Sequence, residues 1–278
     1  MKNFTLALML MASPALALDP AQFFANPAVQ AQAPGAFAVQ DSAKAVLEAV
    51  ERIAPAQRQA LVDAIRADHD LSQEVAAFGT IGWARQLAAI KKIMALECAA
   101  NGCAVPPLVV HDNEAGHGPA FFEFDTEHPD TGKVHLWPLA FADEASPYAP
   151  LMFAVHETRH SWQFQLAFTH PEQEPALAAG FAAGFRAQKS LGRKLSYCDF
   201  CTMHHEHEAF QTGNLVVGML TGFTVDTAGM GCLSSMFDAQ GVSKIDLLNL
   251  FRTMPASQIL TTFNTLENPQ FISLGGHR

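Results

Sequence analysis

The sequence predicts a mainly helical α+β fold, and three observations lead to it. Apolar residues recur at helical spacing in long segments on both sides of the middle of the chain. Between them, residues 105–141 hold short β-branched or alternating segments separated by turn-forming residues. No internal repeat or long low-complexity segment is present. We therefore expect one domain over residues 41–278, with a small mixed sheet between helical parts at 41–100 and 147–278.

The first helical part carries clear start and stop signals. Ser42 is a suitable N-cap, and Pro55 suits the first turn of a second helix. Asn101-Gly102 is a typical helix end. The predicted helices span residues 43–53, 56–67, 71–78 and 83–96.

Three segments in the middle of the chain predict strands, at residues 108–111, 120–125 and 133–141. Pro138 lies in the last of them and has no N–H to donate to a neighbouring strand. Since proline is confined to sheet edges for this reason, we expect 133–141 to be an edge strand.

The second helical part contains the longest uninterrupted apolar helix signal, over residues 151–169. A loop with Cys198 and Cys201 interrupts the pattern further on. The other predicted helices span residues 171–191, 202–220, 245–254 and 256–266.

The N-terminus has the pattern of a secretory signal peptide over residues 1–17. Lys2 gives the positive start, an apolar run follows, and Ala15-Leu16-Ala17 has the small-x-small form of a cleavage site. Residues 18–40 are rich in Ala, Pro and Gln without a period, so we expect an extended lead-in. The pattern predicts a periplasmic or secreted protein.

Composition limits the classes of partner. The chain of 278 residues has a net charge of −10 and no basic runs, which argues against nucleic acid or an anionic membrane surface. The apolar runs are too short for stable membrane insertion. The oligomeric state stays open.

Five cysteines follow the signal segment, and export permits disulfides. A local bridge between Cys98 and Cys103 is plausible across the Asn-Gly turn. For Cys198 and Cys201, a structural bridge is favoured over a redox pair or half a metal site. Cys232 then stays unpaired or bridges to one of these two.

The most specific chemical signal is His156-Glu157-Thr158-Arg159-His160, which reads H-E-x-x-H. On a helix, His156 and His160 project from one face and can share one metal ion. Glu157 then stands beside the metal, placed to act as a base toward water. The sequence therefore predicts a Zn²⁺ site with His156 and His160 as ligands. Because catalytic zinc usually has three protein ligands, a third must come from elsewhere in the chain.

The third ligand is expected from residues 203–211, the only stretch after the motif that is dense in both His and acidic residues. Glu206 and Glu208 are the acidic candidates, and both cannot face one metal because they lie about 200° apart on a helix. His204, His205 and His207 are chemically acceptable alternatives. Leu166 stands where one large zincin class has its third His, which excludes that class.

The combination of His156-Glu157-x-x-His160 with Glu206-x-x-Ala209 and a strand before the motif helix resembles the gluzincin group of metallopeptidases. Gln163 adds a likeness to uncharacterised bacterial metallopeptidase families with H-E-x-x-H-x-x-Q. The resemblance implies a zincin-like fold, an edge strand that holds an extended substrate, and Glu206 as third zinc ligand. Phe210 departs from the group, where Asp frequently follows the Ala and supports a ligand His.

The resemblance implies an exported zinc metallopeptidase, and within it an endopeptidase, acting on a peptide or protein substrate with Glu157 as general base. Tyr197, His204 and His205 are candidate donors to the developing oxyanion. Arg159 is expected to be a structural ion-pair residue. Two alternatives stay open: a non-catalytic zinc-binding protein or inactive zincin-fold module, and a thiol-disulfide protein that uses Cys198 and Cys201.

Overall fold

The computed structural model describes residues 18–112, 118–144, 146–225 and 243–276. These ranges contain eleven α-helices and three strands. The coarse prediction of a mainly helical α+β fold with a small mixed sheet is confirmed. The helices are α1 Pro20–Phe23, α2 Pro27–Gln30, α3 Ala43–Ala67, α4 His69–Ala76, α5 Trp83–Asn101, α6 Ala149–Phe168, α7 Pro175–Leu191, α8 Tyr197–Cys201, α9 His204–Thr221, α10 Leu247–Thr253 and α11 Ala256–Ser273. The strands are β1 Leu108–Val110, β2 Ala120–Glu123 and β3 Lys133–Leu136.

The two helices expected on either side of Pro55 are one continuous helix, α3, with the proline inside it. Proline removes one helical hydrogen bond and normally ends or kinks a helix. Here the apolar face continues on both sides of Pro55, with Leu47 before it and Leu61 after it buried in the protein. Packing of that continuous face outweighs the lost hydrogen bond.

Residues 18–40 do not form the expected extended lead-in. Asp19 and Asn26 each cap a short helix whose first residue is proline, which gives α1 and α2. Phe23 and Phe37 are fully buried. The segment is therefore part of the packed protein, whereas the predicted signal segment, residues 1–17, lies outside the described residues.

The sheet has the order β1-β3-β2, with β1 parallel and β2 antiparallel to β3. The prediction that the third strand lies at the edge is wrong, since β3 is paired on both sides. Pro138 comes after the strand has ended and opens a 3-10 helix, Pro138–Asp143. Its missing N–H therefore places no limit on the pairing of β3.

Helix α6 lies at the centre of the protein. Most of its residues are buried, because α5, α7 and α9 pack around it and the sheet covers a further side. Phe122 of β2 contacts it through Phe164, with ring centroids 6.0 Å apart. Within the described ranges, no helix combines the length and apolarity needed to cross a membrane.

Helices α6 and α9 approach closely at Gly213. A Cβ atom added there would lie 3.0 Å from the backbone oxygen of Met152, tighter than ordinary contact. The glycine therefore permits the two backbones to come together. This close packing brings the start of α9 beside the motif residues of α6.

The cysteine pairing differs from the expectation. Cys198 is a free thiol, whereas Cys201 is disulfide-bonded. The predicted bridge between these two is therefore wrong. Cys98 and Cys103 are also free thiols. Cys232 lies outside the described residues.

Candidate metal centre

Helix α6 places His156, Glu157 and His160 together in the interior. The two histidines are one turn apart, and their Nε2 atoms lie 2.9 Å from each other. One carboxylate oxygen of Glu157 lies within 4.8 Å of a ring nitrogen of each histidine. All three side chains are buried. This group is able to hold a metal ion.

Glu206 lies in the first turn of α9 and completes a triangle with the two histidines. Its Oε2 atom is 3.3 Å from the Nε2 of His156 and 3.3 Å from the Nε2 of His160. That oxygen is buried and makes no hydrogen bond. Three ligands on a tetrahedral zinc ion are separated by about 3.3–3.4 Å, given metal–ligand distances of 2.0–2.1 Å. The two sides of the triangle that meet at Glu206 match this spacing, whereas the side between the two histidines is shorter, at 2.9 Å.

Glu208 points away from this triangle. It forms a two-point ion pair with Arg159, at 2.9 Å from Nε to Oε2 and 2.9 Å from Nη2 to Oε1. Arg58 of α3 donates to the same carboxylate at 3.2 Å, and Thr212 donates at 2.8 Å. These cations hold the pKa of Glu208 down to about 2, against its burial. Glu208 is therefore a structural anion, and Arg159 is the ion-pair residue that the sequence predicted.

Gln163 supports His160 from the next turn of α6. Its Oε1 lies 2.8 Å from the Nδ1 of His160, and its Nε2 donates to Glu208 at 2.7 Å and to the backbone oxygen of His205 at 3.0 Å. With both amide protons used, Oε1 accepts from Nδ1–H, and the Nε2 of His160 is left to face the triangle. In gluzincins an Asp at the position of Phe210 frequently supports a ligand histidine. Here Gln163 of α6 supports His160 instead.

His156 has a different environment. Its Nδ1 is buried and has no hydrogen-bond partner. The ring of Phe210 packs against it, with ring centroids 4.1 Å apart. The imidazole of His156 is therefore held by contact with the Phe210 ring, where gluzincins frequently have an Asp.

His205 lies beside the triangle without joining it. Its Nε2 is 2.9 Å from Oε1 of Gln188 and 3.6 Å from Oε1 of Glu206. A Cβ atom at Gly184 would come within 2.4 Å of its Nδ1, so this glycine makes room for the ring. The Glu206 contact, at 3.6 Å, is too long for a hydrogen bond, so Gln188 is the residue that orients His205.

Tyr197 packs in a separate hydrophobic cluster. Its ring stacks on Phe23 at 5.1 Å, and its hydroxyl accepts a hydrogen bond from Gln270 at 3.3 Å. Burial raises the pKa of this phenol well above its usual value. These contacts assign Tyr197 to packing, and we do not place it in a mechanism.

The metal-free site is polarised. Burial lowers the pKa of His160, but the Glu206 carboxylate outweighs it and raises that pKa to about 9. Burial and the neighbouring His160 lower the pKa of His156 to about 4. Burial raises the pKa of Glu157 to about 8. Glu206 keeps a pKa well below its usual range, because the histidines outweigh its burial. Without metal, a protonated His160 therefore stands against the Glu206 carboxylate.

Arg58 was missed by sequence reasoning although a local signal exists. It stands in helical register with the buried residues Leu61, Val62 and Ile65. A charged residue inside an apolar stripe implies a buried partner. That partner is 150 residues away, so the sequence does not reveal it.

We expect the buried histidines His204, His205 and His207 to lower the stability of the metal-free protein as the pH falls below about 6.5, in opposition to Glu157 and His160, whose pKa values are raised. Burial lowers the pKa of His204 and His205 to about 3 and that of His207 to about 4. The unfolded chain then binds protons that the folded protein does not, so each histidine costs about 2 kcal/mol between pH 7 and pH 5. Urea unfolding at the two pH values measures the loss, and His207→Asn should reduce it. The same change in the free energy of unfolding between the two pH values in wild type and His207→Asn would refute this.

We expect Gln163→Leu to weaken metal binding about 10–100-fold, because His160 loses the acceptor that orients it. Competition with a chromophoric chelator measures the affinity. Gln165→Leu is the matched control, since Gln165 is also buried on α6 but bonds Ala104 and Ser161. Equal losses in both variants would contradict the orienting role.

Comparisons of this chain with protein-family models, with curated proteins and with solved structures find no match. The site must therefore be interpreted from its own geometry.

Proposed function

We propose that this protein is an exported zinc-dependent hydrolase of the gluzincin type, acting on peptide bonds, with His156, His160 and Glu206 as metal ligands. One observation carries the proposal. A buried carboxylate oxygen of Glu206 stands 3.3 Å from the Nε2 atoms of both His156 and His160. Three donor atoms of the kinds that zinc binds therefore converge from α6 and α9 at one buried point.

The donor set supports zinc among the common metals. Two imidazole nitrogens and one carboxylate oxygen form the ligand set of several zinc hydrolases, with a fourth position left for water. Calcium and magnesium prefer oxygen ligands alone. In such a site, zinc supplies Lewis acidity that acidifies water and polarises a carbonyl group.

Glu157 is the residue proposed to move the proton. It neighbours both histidines without belonging to the ligand triangle, and its carboxylate is buried. In the H-E-x-x-H pattern, the Glu beside the metal acts as general base toward water. Glu157 would therefore take the proton of the attacking water and pass it to the leaving amine.

The metal content of Glu206→Gln tests the proposed ligand set. We expect wild-type protein to bind one zinc ion per chain. The zinc content of Glu206→Gln should fall far below one, because an amide oxygen carries no negative charge to attract the metal cation. Elemental analysis after dialysis against buffered zinc measures the stoichiometry. Glu97→Gln is the control, because Glu97 is equally buried with no hydrogen bond to its carboxylate, yet lies on α5. Full zinc content in Glu206→Gln would exclude Glu206 as a ligand.

A non-catalytic zinc-binding protein is the second candidate, and the burial of the site favours it. His156, His160 and Glu206 are each only 3% exposed, and Glu157 is 5% exposed. Structural zinc sites are closed, whereas catalytic sites keep an open position. One bound zinc ion without cleavage of any peptide in a library would favour this candidate.

The thiol-disulfide alternative has little support. Cys198 is buried, and burial raises the pKa of its thiol well above the usual value. Reactive cysteines have the opposite properties, exposure and a lowered pKa. Cys201 is already disulfide-bonded, and Cys198 is not its partner.

A further inference from the structure

The end of α5 has a specific capping geometry. Gly102 adopts a left-handed conformation with φ of +70°. The N–H of Cys103 donates to the backbone oxygen of Cys98 at 3.0 Å, and the N–H of Gly102 donates to that of Ala99 at 3.4 Å. This pair of hydrogen bonds defines a Schellman motif, in which the residue after the glycine contacts the residue five positions earlier.

In this chain, the two contacting residues are both cysteines. The motif usually joins two apolar side chains at these positions. Here the backbone hydrogen bond from Cys103 to Cys98 brings two thiol-bearing residues together. Cys98 is buried, whereas Cys103 is partly exposed. The backbone of the cap therefore already holds two sulfur atoms side by side, with one within reach of solvent.

The cap is also anchored on the motif helix, α6. Between the two cysteines, Arg159 donates to Oδ1 of Asn101 at 3.0 Å. Directly after Cys103, Ala104 exchanges two backbone hydrogen bonds with the side chain of Gln165, at 2.9 and 2.8 Å. The loop between the thiols is therefore held in place by α6, so little chain entropy is lost when the sulfurs are joined.

We propose that Cys98 and Cys103 form a dithiol site that a small disulfide, such as oxidised glutathione, converts to an intramolecular disulfide. Cys103, the more exposed, attacks as the thiolate and releases one glutathione thiol. The sulfur of Cys98 loses its proton, displaces the second glutathione thiolate and closes the bridge. Two protein thiols are oxidised, and one small disulfide is reduced to two thiols.

The thiol chemistry agrees with this order. The neighbouring Cys98 thiol lowers the pKa of the Cys103 thiol, which favours Cys103 as the first nucleophile. The neighbouring Cys103 thiol, together with burial, raises the pKa of Cys98. The proposed disulfide depends on the geometry of the cap and requires no bound metal. Its test is therefore independent of the proposed hydrolase function.

The test uses the mature full-length chain, equilibrated with oxidised glutathione, alkylated with iodoacetamide and digested with trypsin. Residues 93–133 form one tryptic peptide, which contains Cys98 and Cys103 and no other cysteine. We expect this peptide to be unalkylated and lighter by two hydrogen atoms, and to take two alkyl groups after prior reduction.

Cys103→Ser is the matched control and should show no loss of two hydrogen atoms, because Cys98 then has no partner in the cap. Two results would overturn the proposal for the unchanged chain. One is a peptide that carries two alkyl groups after oxidation. The other is a lasting glutathione adduct on Cys103, which would mean that Cys98 does not displace it.

Discussion

Glu157→Gln is expected to reduce peptide hydrolysis about 10²–10⁴-fold, the range that a general base contributes, and to leave zinc binding intact. The amide has nearly the shape of the carboxylate but cannot accept the proton from water. Zinc should stay because Glu157 lies outside the triangle of His156, His160 and Glu206. Cleavage of a fluorogenic peptide library, measured beside zinc content, separates these two effects.

The control for this variant is Glu172→Gln. Glu172 has a side chain that is 71% exposed, near His170 on the surface. We expect the Glu172→Gln variant to cleave peptides at the wild-type rate. If Glu157→Gln also cleaved at that rate with zinc bound, the assignment of Glu157 as the base would be lost.

Glu208→Gln is expected to destabilise the protein by about 3–5 kcal/mol, because it leaves two buried arginines without their anion. Arg159 and Arg58 both donate to this carboxylate, and the two arginines are 1% and 7% exposed. Such a loss is a large part of the roughly 5–15 kcal/mol that stabilises a typical domain. Urea unfolding of the metal-free protein at pH 7 measures it without a contribution from zinc.

A surface ion pair provides the comparison. Glu174 pairs with Arg52 at 2.8 Å, but the arginine side chain is 61% exposed. Since exposed pairs contribute little, Glu174→Gln should leave the free energy of unfolding almost unchanged. If Glu208→Gln were as mild as Glu174→Gln, the Arg159–Glu208–Arg58 cluster would not be a main support of the fold.

The sequence predicted the parts of the site that depend on local geometry. The i, i+4 spacing places His156 and His160 on one face of any helix, so their meeting needs no tertiary information. The choice of Glu206 over Glu208 came from the Glu206-x-x-Ala209 pattern, since helical geometry shows only that the two cannot both face one metal. The structure brings Glu206 to both histidines and turns Glu208 toward Arg159.

The features that depend on distant contacts could not be predicted. Strand order is set by which segments pair across the chain, and β3 proved central although Pro138 suggested an edge. The partners of Glu208 lie 49 and 150 residues away in sequence. For residues 18–40 the helices could be predicted locally. Each of the pairs Asp19-Pro20 and Asn26-Pro27 joins an N-cap residue to a proline at the first helical position.

A crystal structure of zinc-soaked protein, with anomalous diffraction recorded at the zinc edge, tests the metal site most directly. We expect one anomalous peak about 2.0–2.2 Å from His156 Nε2, His160 Nε2 and a Glu206 oxygen. The Gln163 amide should still support His160, and Glu208 should still bind Arg159. A zinc ion held by other residues, or no zinc at these three atoms at saturating concentration, would contradict the proposed centre.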